Sequence, residues 1–362
     1  MRSKIELCML RKHNWVLTTR VFCAFLAVQL IVSSYNSPVA AKPRVLRVST
    51  TIPAQADLIQ GAVRPWVDEV NQAFDGEAVI ELFPGGSLGR HTSAFYQMVR
   101  DGVVDMAITV PSHISGQFPD NDLFQLPLVF NDALEASLTA WDMIQRGLLR
   151  GYEDVHVVAI YATLPYGLHL NFPYRTLDDI SGKKIRTLGL IQARVATALG
   201  CTPIGNIIAA NMAETIDRGL LDGALFGWDN LRAFGVRYVT HYHVEMPVTL
   251  SLAFISMNKN SYQSLSAKAR AALDRLSGVR LTREIVRVAS VAGDVVRNEV
   301  VAEGHVLVHP DRAEQALYRE RLAHVSNYYV EREEGNAERY RAFLQTLAEV
   351  RRSEAGRAEQ GS

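Results

Sequence analysis

Asp178-Asp-Ile-Ser-Gly182-Lys-Lys-Ile185-Arg186, followed by Leu199-Gly200-Cys-Thr-Pro203 and then Arg218-Gly219-Leu-Leu-Asp222-Gly223, is the stretch on which the fold turns. It reads as a short surface helix, a strand beginning at Lys184, a helix from Ile191, a turn, a second helix from Met212 and a new strand after Gly223. That alternation is the βαβα rhythm of an α/β domain. Arg186 falls where the strand has become apolar and a helix is about to begin, the edge that lines the ligand crevice in open α/β sheets. A strand-end arginine taken alone is more often a solvated surface charge. The motifs around this one weigh the other way.

Upstream, residues 45–49 alternate as a short strand, and Leu58, Ala62, Trp66, Val70 and Phe74 recur at helical spacing. Asp75-Gly76 turns the chain into a strand at 78–83, which Pro84-Gly85-Gly86 breaks. A helix around 94–100, a turn at Asp101-Gly102 and a strand at 104–110 complete a β-α-β-α-β half of an open α/β domain. A second half is expected to begin near residues 155–161. The two halves echo each other: Gln97-Met-Val-Arg-Asp-Gly102-Val-Val-Asp105-Met-Ala-Ile108 matches in pattern Glu214-Thr-Ile-Asp-Arg-Gly219-Leu-Leu-Asp222-Gly-Ala-Leu225. Each is a helix end, a glycine suited to the left-handed cap, two apolar residues, an aspartate at the strand mouth and an apolar strand.

From Ser266 onward the pattern is helical. Ala269, Leu273, Leu276, Ile285, Val288, Val291, Val295 and Val296 recur with Arg280, Arg283, Arg287 and Arg297 between them, long enough to lie across two lobes. Residues 318–330 and 338–350 form further amphipathic helices. The expected layout is α/β and two-lobed: a leader at 1–41, lobe I from 43–162 with about 253–290, and lobe II from 163–252 with about 291–350. Residues 351–362 are polar and small and are expected to be a flexible tail.

With 362 residues, 48% of them hydrophobic, the chain is long enough for two domains with real cores. Its 38 basic and 38 acidic side chains balance to a formal net charge of +0, so nothing asks for nucleic acid or an anionic membrane. The amino terminus differs: Arg2, Lys4, Arg11, Lys12 and Arg20 precede the apolar run 21–32 and the small-residue segment Ser37-Pro-Val39-Ala40-Ala41. That run is too short to span a bilayer but fits a secretory signal cleaved after Ala41, which implies export to the periplasm. A start at Met9 would give a shorter charged segment. Cys8 and Cys23 fall in the signal, leaving Cys201 alone in the mature chain, so no internal disulfide is expected. Cys23 does not sit at the end of a lipidation site, which points to a soluble protein.

Together these residues resemble the solute-binding proteins of tripartite ATP-independent periplasmic (TRAP) transporters, the dicarboxylate-receptor type. The markers are Phe83-Pro-Gly-Gly-Ser-Leu-Gly89, Gly102-Val-Val-Asp105-Met-Ala, Leu126-Pro127-Leu-Val-Phe130, Asp178-Asp-Ile-Ser-Gly-Lys-Lys-Ile-Arg186, Leu199-Gly-Cys-Thr-Pro203, Gly219-Leu-Leu-Asp222-Gly223 and Met257-Asn258-Lys259. The resemblance implies a periplasmic-binding-protein fold with a long helix spanning both lobes, which close on the ligand. It implies that Arg186 forks onto a substrate carboxylate and that the receptor, a monomer without cofactor, hands its ligand to an ion-driven membrane permease. It implies no chemistry on that ligand. A guanidinium suits the role, being planar, permanently charged and weakly hydrated.

The chain also departs from that family. Many relatives carry a second arginine about twenty residues before the first, where this chain has Tyr166-Gly-Leu-His169. Tyr166 and His169 can donate hydrogen bonds, although a tyrosine satisfied within its strand is an equal reading, and a second full negative charge on the ligand lacks an arginine partner there. After Asp222-Gly223 relatives often show Gln-Glu-Asn, whereas this chain has Ala224-Leu-Phe226-Gly-Trp228-Asp229-Asn230. Phe226 and Trp228 offer large apolar faces to a monocarboxylate with an alkyl or aromatic body, with core packing the alternative for Phe226. Some receptors of this type hold ligand through a metal beside such an acid as Asp229, but the second acid is missing around Ser251-Leu-Ala-Phe254, so no metal is expected. Ser112 and His113, after the Asp105 strand, are candidate contacts from the first lobe, or a loop that satisfies itself.

The rival from another class is an enzyme. His241-Tyr-His243 has a spacing zinc can use and Glu245 follows, but no third ligand stands at motif spacing. Gly85-Gly-Ser-Leu-Gly89 is neither a phosphate-binding loop of the Gly-Lys-Ser/Thr type nor a dinucleotide turn, and no Gly-x-Ser-x-Gly elbow occurs. A receptor for an ATP-driven importer or a sensor kinase is the nearer alternative.

Overall fold

The computed structural model describes residues 42–361. The expected leader, with Cys8, Cys23 and the cleavage site, lies outside them. The strands are Arg44–Ser49 (β1), Ala78–Phe83 (β2), Met106–Thr109 (β3), Val155–Ala162 (β4), Tyr166–Leu170 (β5), Lys184–Arg186 (β6), Thr202–Ile204 (β7), Gly223–Phe226 (β8), Tyr242–Thr249 (β9), Leu252–Asn258 (β10) and Val306–Val308 (β11). They form two sheets, ordered β2-β1-β3-β10-β4 and β11-β9-β5-β8-β6-β7.

In the first sheet β1, β2 and β3 are parallel, and β10 runs antiparallel between β3 and β4. Of the two expectations for residues 155–161, the opening of a second half and a place within 43–162, the pairing of this strand rules out the first. β10 bonds β4 along its length, from Leu252 opposite Ala162 to Asn258 opposite Val155, and so holds β4 in the first sheet. Every residue of β10 is buried, as expected of a strand covered on both faces. The second sheet opens only at Tyr166. There β6, β7 and β8 are parallel, and β5 runs antiparallel to both β8 and β9. Residues 199–203, expected as a turn alone, also lead into β7, which pairs Thr202 with Lys184. Gly223 is required where β8 meets β5, because a Cβ there would stand 2.4 Å from the His169 carbonyl oxygen.

The helices that matter below are Arg64–Ala73 (α1), Thr92–Arg100 (α2), Ala133–Gln145 (α3), Gly189–Ala198 (α4), Ala209–Asp217 (α5), Gly278–Ala302 (α6), Arg312–Leu322 (α7), Val325–Arg332 (α8) and Asn336–Gly361 (α9). α6 is the expected long helix. Its buried stripe, Leu281, Ile285, Val288, Ala292, Val296 and Val300, follows the helical period, with Val291, Val295 and Val301 on the exposed side. Near its start the Thr282 hydroxyl donates to the Ile160 carbonyl of β4 at 2.9 Å. About three turns further on, Gly293 lets it approach the segment after β8, where an added Cβ would stand 3.3 Å from Trp228 Cβ. α6 thus spans both sheets.

α9 runs to Gly361, through the polar segment where fraying was expected. Arg351 anchors it, donating to Glu135 Oε1 at 2.6 Å and to the Val129 carbonyl at 2.9 Å. Phe343 is buried edge-on between Phe124 and Phe130. Among the described residues no helix is long and apolar enough to cross a membrane. Cys201 is buried and free.

Candidate functional site

The chain crosses between the sheets at Thr163 to Pro165 and again at Leu250 and Ser251. The two crossings are bonded side by side: the Thr163 N–H donates to the Ser251 carbonyl at 2.9 Å, and the Ser251 N–H to Thr163 Oγ1 at 3.1 Å. Beside them lies a cleft walled by Thr50, Val110, Tyr161 and Leu252 from the first sheet's side and by Tyr166, Arg186, Phe226 and Asp229 from the second's.

Arg186 ends β6, opposite Ala224 of β8 and Ile204 of β7, and is only 2% exposed. Its Nε donates to the Ile207 carbonyl at 3.2 Å, its guanidinium lies 5.8 Å from the Phe226 ring centroid, and its Nη1 has no partner among the described residues. Burial drives its pKa below the ordinary arginine value, with Tyr166 opposing. A buried guanidinium with an unpartnered N–H in a cleft wall can hold an anion. The helices reinforce it. Leu188 and Ile208, the residues preceding α4 and α5, both line the cleft, so two helix N-termini, neither with an acid in its first turn, face the same space.

Tyr166, Phe226, Asp229 and His113 join Arg186 in the cleft wall. Burial pushes the Tyr166 hydroxyl up to about 12. His113 is held down to about 4 by burial and then by Arg186, so it is a neutral imidazole. Asp229 accepts from Asn230 Nδ2 on Oδ2 at 2.8 Å, while its Oδ1 is buried without a partner. Burial pushes its carboxyl up to about 7.

Three expected contacts stand outside the cleft lining. Ser112 sits behind it: its Oγ accepts from Asn121 Nδ2 at 3.0 Å and Gln125 Nε2 at 2.8 Å and lies 3.4 Å from Ser251 Oγ, and Ser251 does line the cleft. His169 is fully buried. Its Nε2 lies 3.1 Å from the Phe226 carbonyl, which can only accept, so Nε2 carries the proton and Nδ1 accepts from His243 Nδ1 at 2.9 Å. Trp228 packs on the His169 and His243 rings at 4.9 and 5.1 Å, on the far side of the turn from Asp229. His243 continues to His305 Nδ1 at 3.0 Å, and burial with its histidine neighbours holds it down to about 2. Of the pair that suggested zinc, His243 is thus bonded into a chain with His169 and His305, and no group able to hold a metal occurs among the described residues.

The cleft also contains residues the sequence did not single out. Thr50 and Thr51 follow β1, Thr163 and Ser251 come from the crossings, and Arg90 reaches the wall from the loop after Gly89. Arg90 answers the expectation that a second arginine is lacking: one is supplied, exposed, from the first sheet's side rather than near Tyr166. The Gly85–Gly89 motif marked the loop but gave no sign of where the next side chain points.

Residues 48–333 match the family described as bacterial extracellular solute-binding protein, family 7 (DctP). The outer membrane transporter protein TsaT of Comamonas testosteroni is 22% identical over 273 residues, 73% of this chain and 79% of that one. A TRAP solute-binding protein from Rhodoferax ferrireducens T118, solved in complex with copurified benzoate, has the same fold with a TM-score of 0.81, at 24% identity over 87% of this chain and 99% of that one. Another, from an unidentified marine microbe and specific for aromatic acid ligands, was co-crystallised with 3-hydroxybenzoate; its TM-score is 0.80, at 21% identity over 86% and 99% of the two chains. The family match spans both sheets, the crossings and the cleft, and the chain belongs to bacterial extracellular solute-binding protein family 7, the receptors of TRAP transporters.

Proposed function

We propose that this protein is the periplasmic receptor of a TRAP transporter and captures an organic monocarboxylate with an aromatic or similarly apolar body. The observation that carries the reading is Arg186, buried in the cleft wall with Nη1 unpartnered. A carboxylate supplies the missing charge and acceptors, and two helix N-termini favour the same anion. The rings of Phe226, Tyr161 and Phe234, with Leu252 and Ile108, give the ligand body an apolar enclosure. Two proteins of this fold were solved with benzoate and 3-hydroxybenzoate, which agrees with that enclosure. The receptor is exported by its leader, passes the ligand to a membrane permease and performs no chemistry on it.

Arg90 favours a second reading, a dicarboxylate bridging both arginines. Its exposure argues for the monocarboxylate, because a solvated head group contributes little to an ion pair. Calorimetry with aromatic and aliphatic monocarboxylates, succinate and malate separates the two. Arg186→Ala should weaken binding of the best ligand by two to three decades, from the roughly 3–5 kcal/mol lost when one member of a desolvated pair is removed. Affinity within threefold of wild type would overturn the assignment. Tight binding of succinate or malate alone would establish the dicarboxylate.

A further inference from the structure

The cleft wall holds two buried polar atoms without protein partners, and they are opposite in kind. Arg186 Nη1 is a cationic donor and Asp229 Oδ1 an anionic acceptor. They do not satisfy each other, for Arg186 bonds the Ile207 carbonyl, and the Asp229 carboxyl is met by the Asn230 amide and by the backbone N–H groups of its own turn. Wherever Asp229 is ionised, a plain carboxylate ligand meets its repulsion and leaves its acceptor unmet in a wall made largely of rings and aliphatic chains.

We propose that Asp229 is a specificity-determining residue that accepts a hydrogen bond from a hydroxyl on the ligand, so that the preferred solute is a hydroxycarboxylic acid rather than a plain one. This rests on the reading of Arg186 as the carboxylate anchor and adds the second function the ligand carries. The donor is a neutral hydroxyl rather than an ammonium, because Arg186 and the N-termini of α4 and α5 already make the cleft positive. Asn230 fixes the carboxylate by donating to Oδ2, which leaves Oδ1 as the free acceptor. The amide of Asn230 and the backbone after Gly227 hold that geometry on a single helical turn, Trp228–Leu231, which α6 packs against at Gly293. Asp229 therefore has little freedom to turn toward Arg186 when the ligand is small.

The test is calorimetry on paired acids that differ by one hydroxyl: benzoate with 2-, 3- and 4-hydroxybenzoate, phenylacetate with mandelate, and butyrate with 2- and 3-hydroxybutyrate. A hydrogen bond to a carboxylate predicts that at least one hydroxy acid binds wild type tenfold or more tightly than its parent. In Asp229→Ala that ratio should fall to within threefold, with the parent acid bound as well as before or better. Asp229→Asn, which keeps the shape and a weaker acceptor, should lose at least threefold of the ratio and guards against a folding defect in the alanine variant. Arg186→Ala should weaken both members of a pair alike. Wild-type ratios within threefold for every pair, or a preference that survives Asp229→Ala, overturn the inference while leaving the carboxylate anchor standing. Binding of no acid by the wild type overturns both.

Discussion

Asp229 and Arg186 differ in how the chain pays for them, and that difference is measurable without a ligand. Arginine keeps its charge when buried, whereas the Asp229 carboxyl, pushed by burial up to about 7 from 3.8, takes a proton instead. The folded state therefore holds a proton that the unfolded chain releases between about pH 4 and 7, so this group's contribution to stability is greatest below pH 4 and is lost as pH rises toward 7. Asp229→Asn should remove that slope and leave the empty protein more stable above pH 7, by on the order of 2–4 kcal/mol, in urea unfolding at pH 5 and pH 8. An unchanged pH profile would show that Asp229 is not desolvated in the empty cleft. At this scale the sequence was informative where the backbone dictates direction. Arg186 is legible because it ends a parallel strand just before a helix, a position that faces the crevice whatever the packing. Trp228 and Asp229 are adjacent on one turn, and that Asp229 lines the cleft while Trp228 packs on His169 and His243 follows from contacts distant in sequence, so periodicity could not choose between them. His169 has the alternation of a strand residue, but its face is fixed by the Phe226 carbonyl and His243 across two neighbouring strands.

α8 is held to the first half of the chain by buried charge, beside the packing of Phe343 of α9 against Phe124 and Phe130. Asp120, fully buried in the helical turn Pro119–Gln125, accepts from Arg150 Nη2 at 2.7 Å and Nε at 2.9 Å and from the Tyr329 hydroxyl of α8 at 3.3 Å. Arg332 of α8 donates to Asp122 Oδ2 at 2.5 Å, and Arg150 reaches on to Glu333 at 2.7 Å. Asp120→Ala should therefore destabilise the protein by roughly 2–4 kcal/mol, less than the full value for a buried pair because Arg150 keeps partial access to water and to Glu333. Lys268→Ala, which breaks the exposed pair with Asp75, should leave the unfolding midpoint where it is. Equal effects of the two would show that the Asp120 cluster is not a lock. Most strands and the long helix α6 were legible as elements, since their apolar periods are strong, yet their membership was not. The local pattern of β4 reads as the opening of a second α/β half, against the layout that groups 43–162 with about 253–290, and what decides is β10 returning antiparallel beside it, a pairing between segments about a hundred residues apart. The extension of α9 past residue 350 is invisible for the same reason, because Arg351 is anchored by Glu135 and Val129 rather than by its own neighbours.

At the scale of the whole molecule the cleft is shared by two sheets joined beside it by the bonded crossings at Thr163 and Ser251. A ligand held by Arg186 on one side and by residues such as Thr50 or Arg90 on the other draws the walls together, and closure in turn strengthens the ion pair by excluding water. The motion expected is a hinge at residues 163–165 and 250–251, with α6 bending or sliding across both sheets while each sheet keeps its pairing. Small-angle scattering should show a smaller radius of gyration at saturating ligand than without it, and Arg186→Ala should keep the larger value at the same ligand concentration. Hydrogen exchange should slow at the crossings and at the N-termini of α4 and α5 on binding, while the interior strands β8 and β10 stay protected throughout. A radius unchanged at saturation, with calorimetry confirming that the ligand is bound, would show that the receptor rests closed and admits its ligand through local opening at the cleft rim rather than by movement of its two halves.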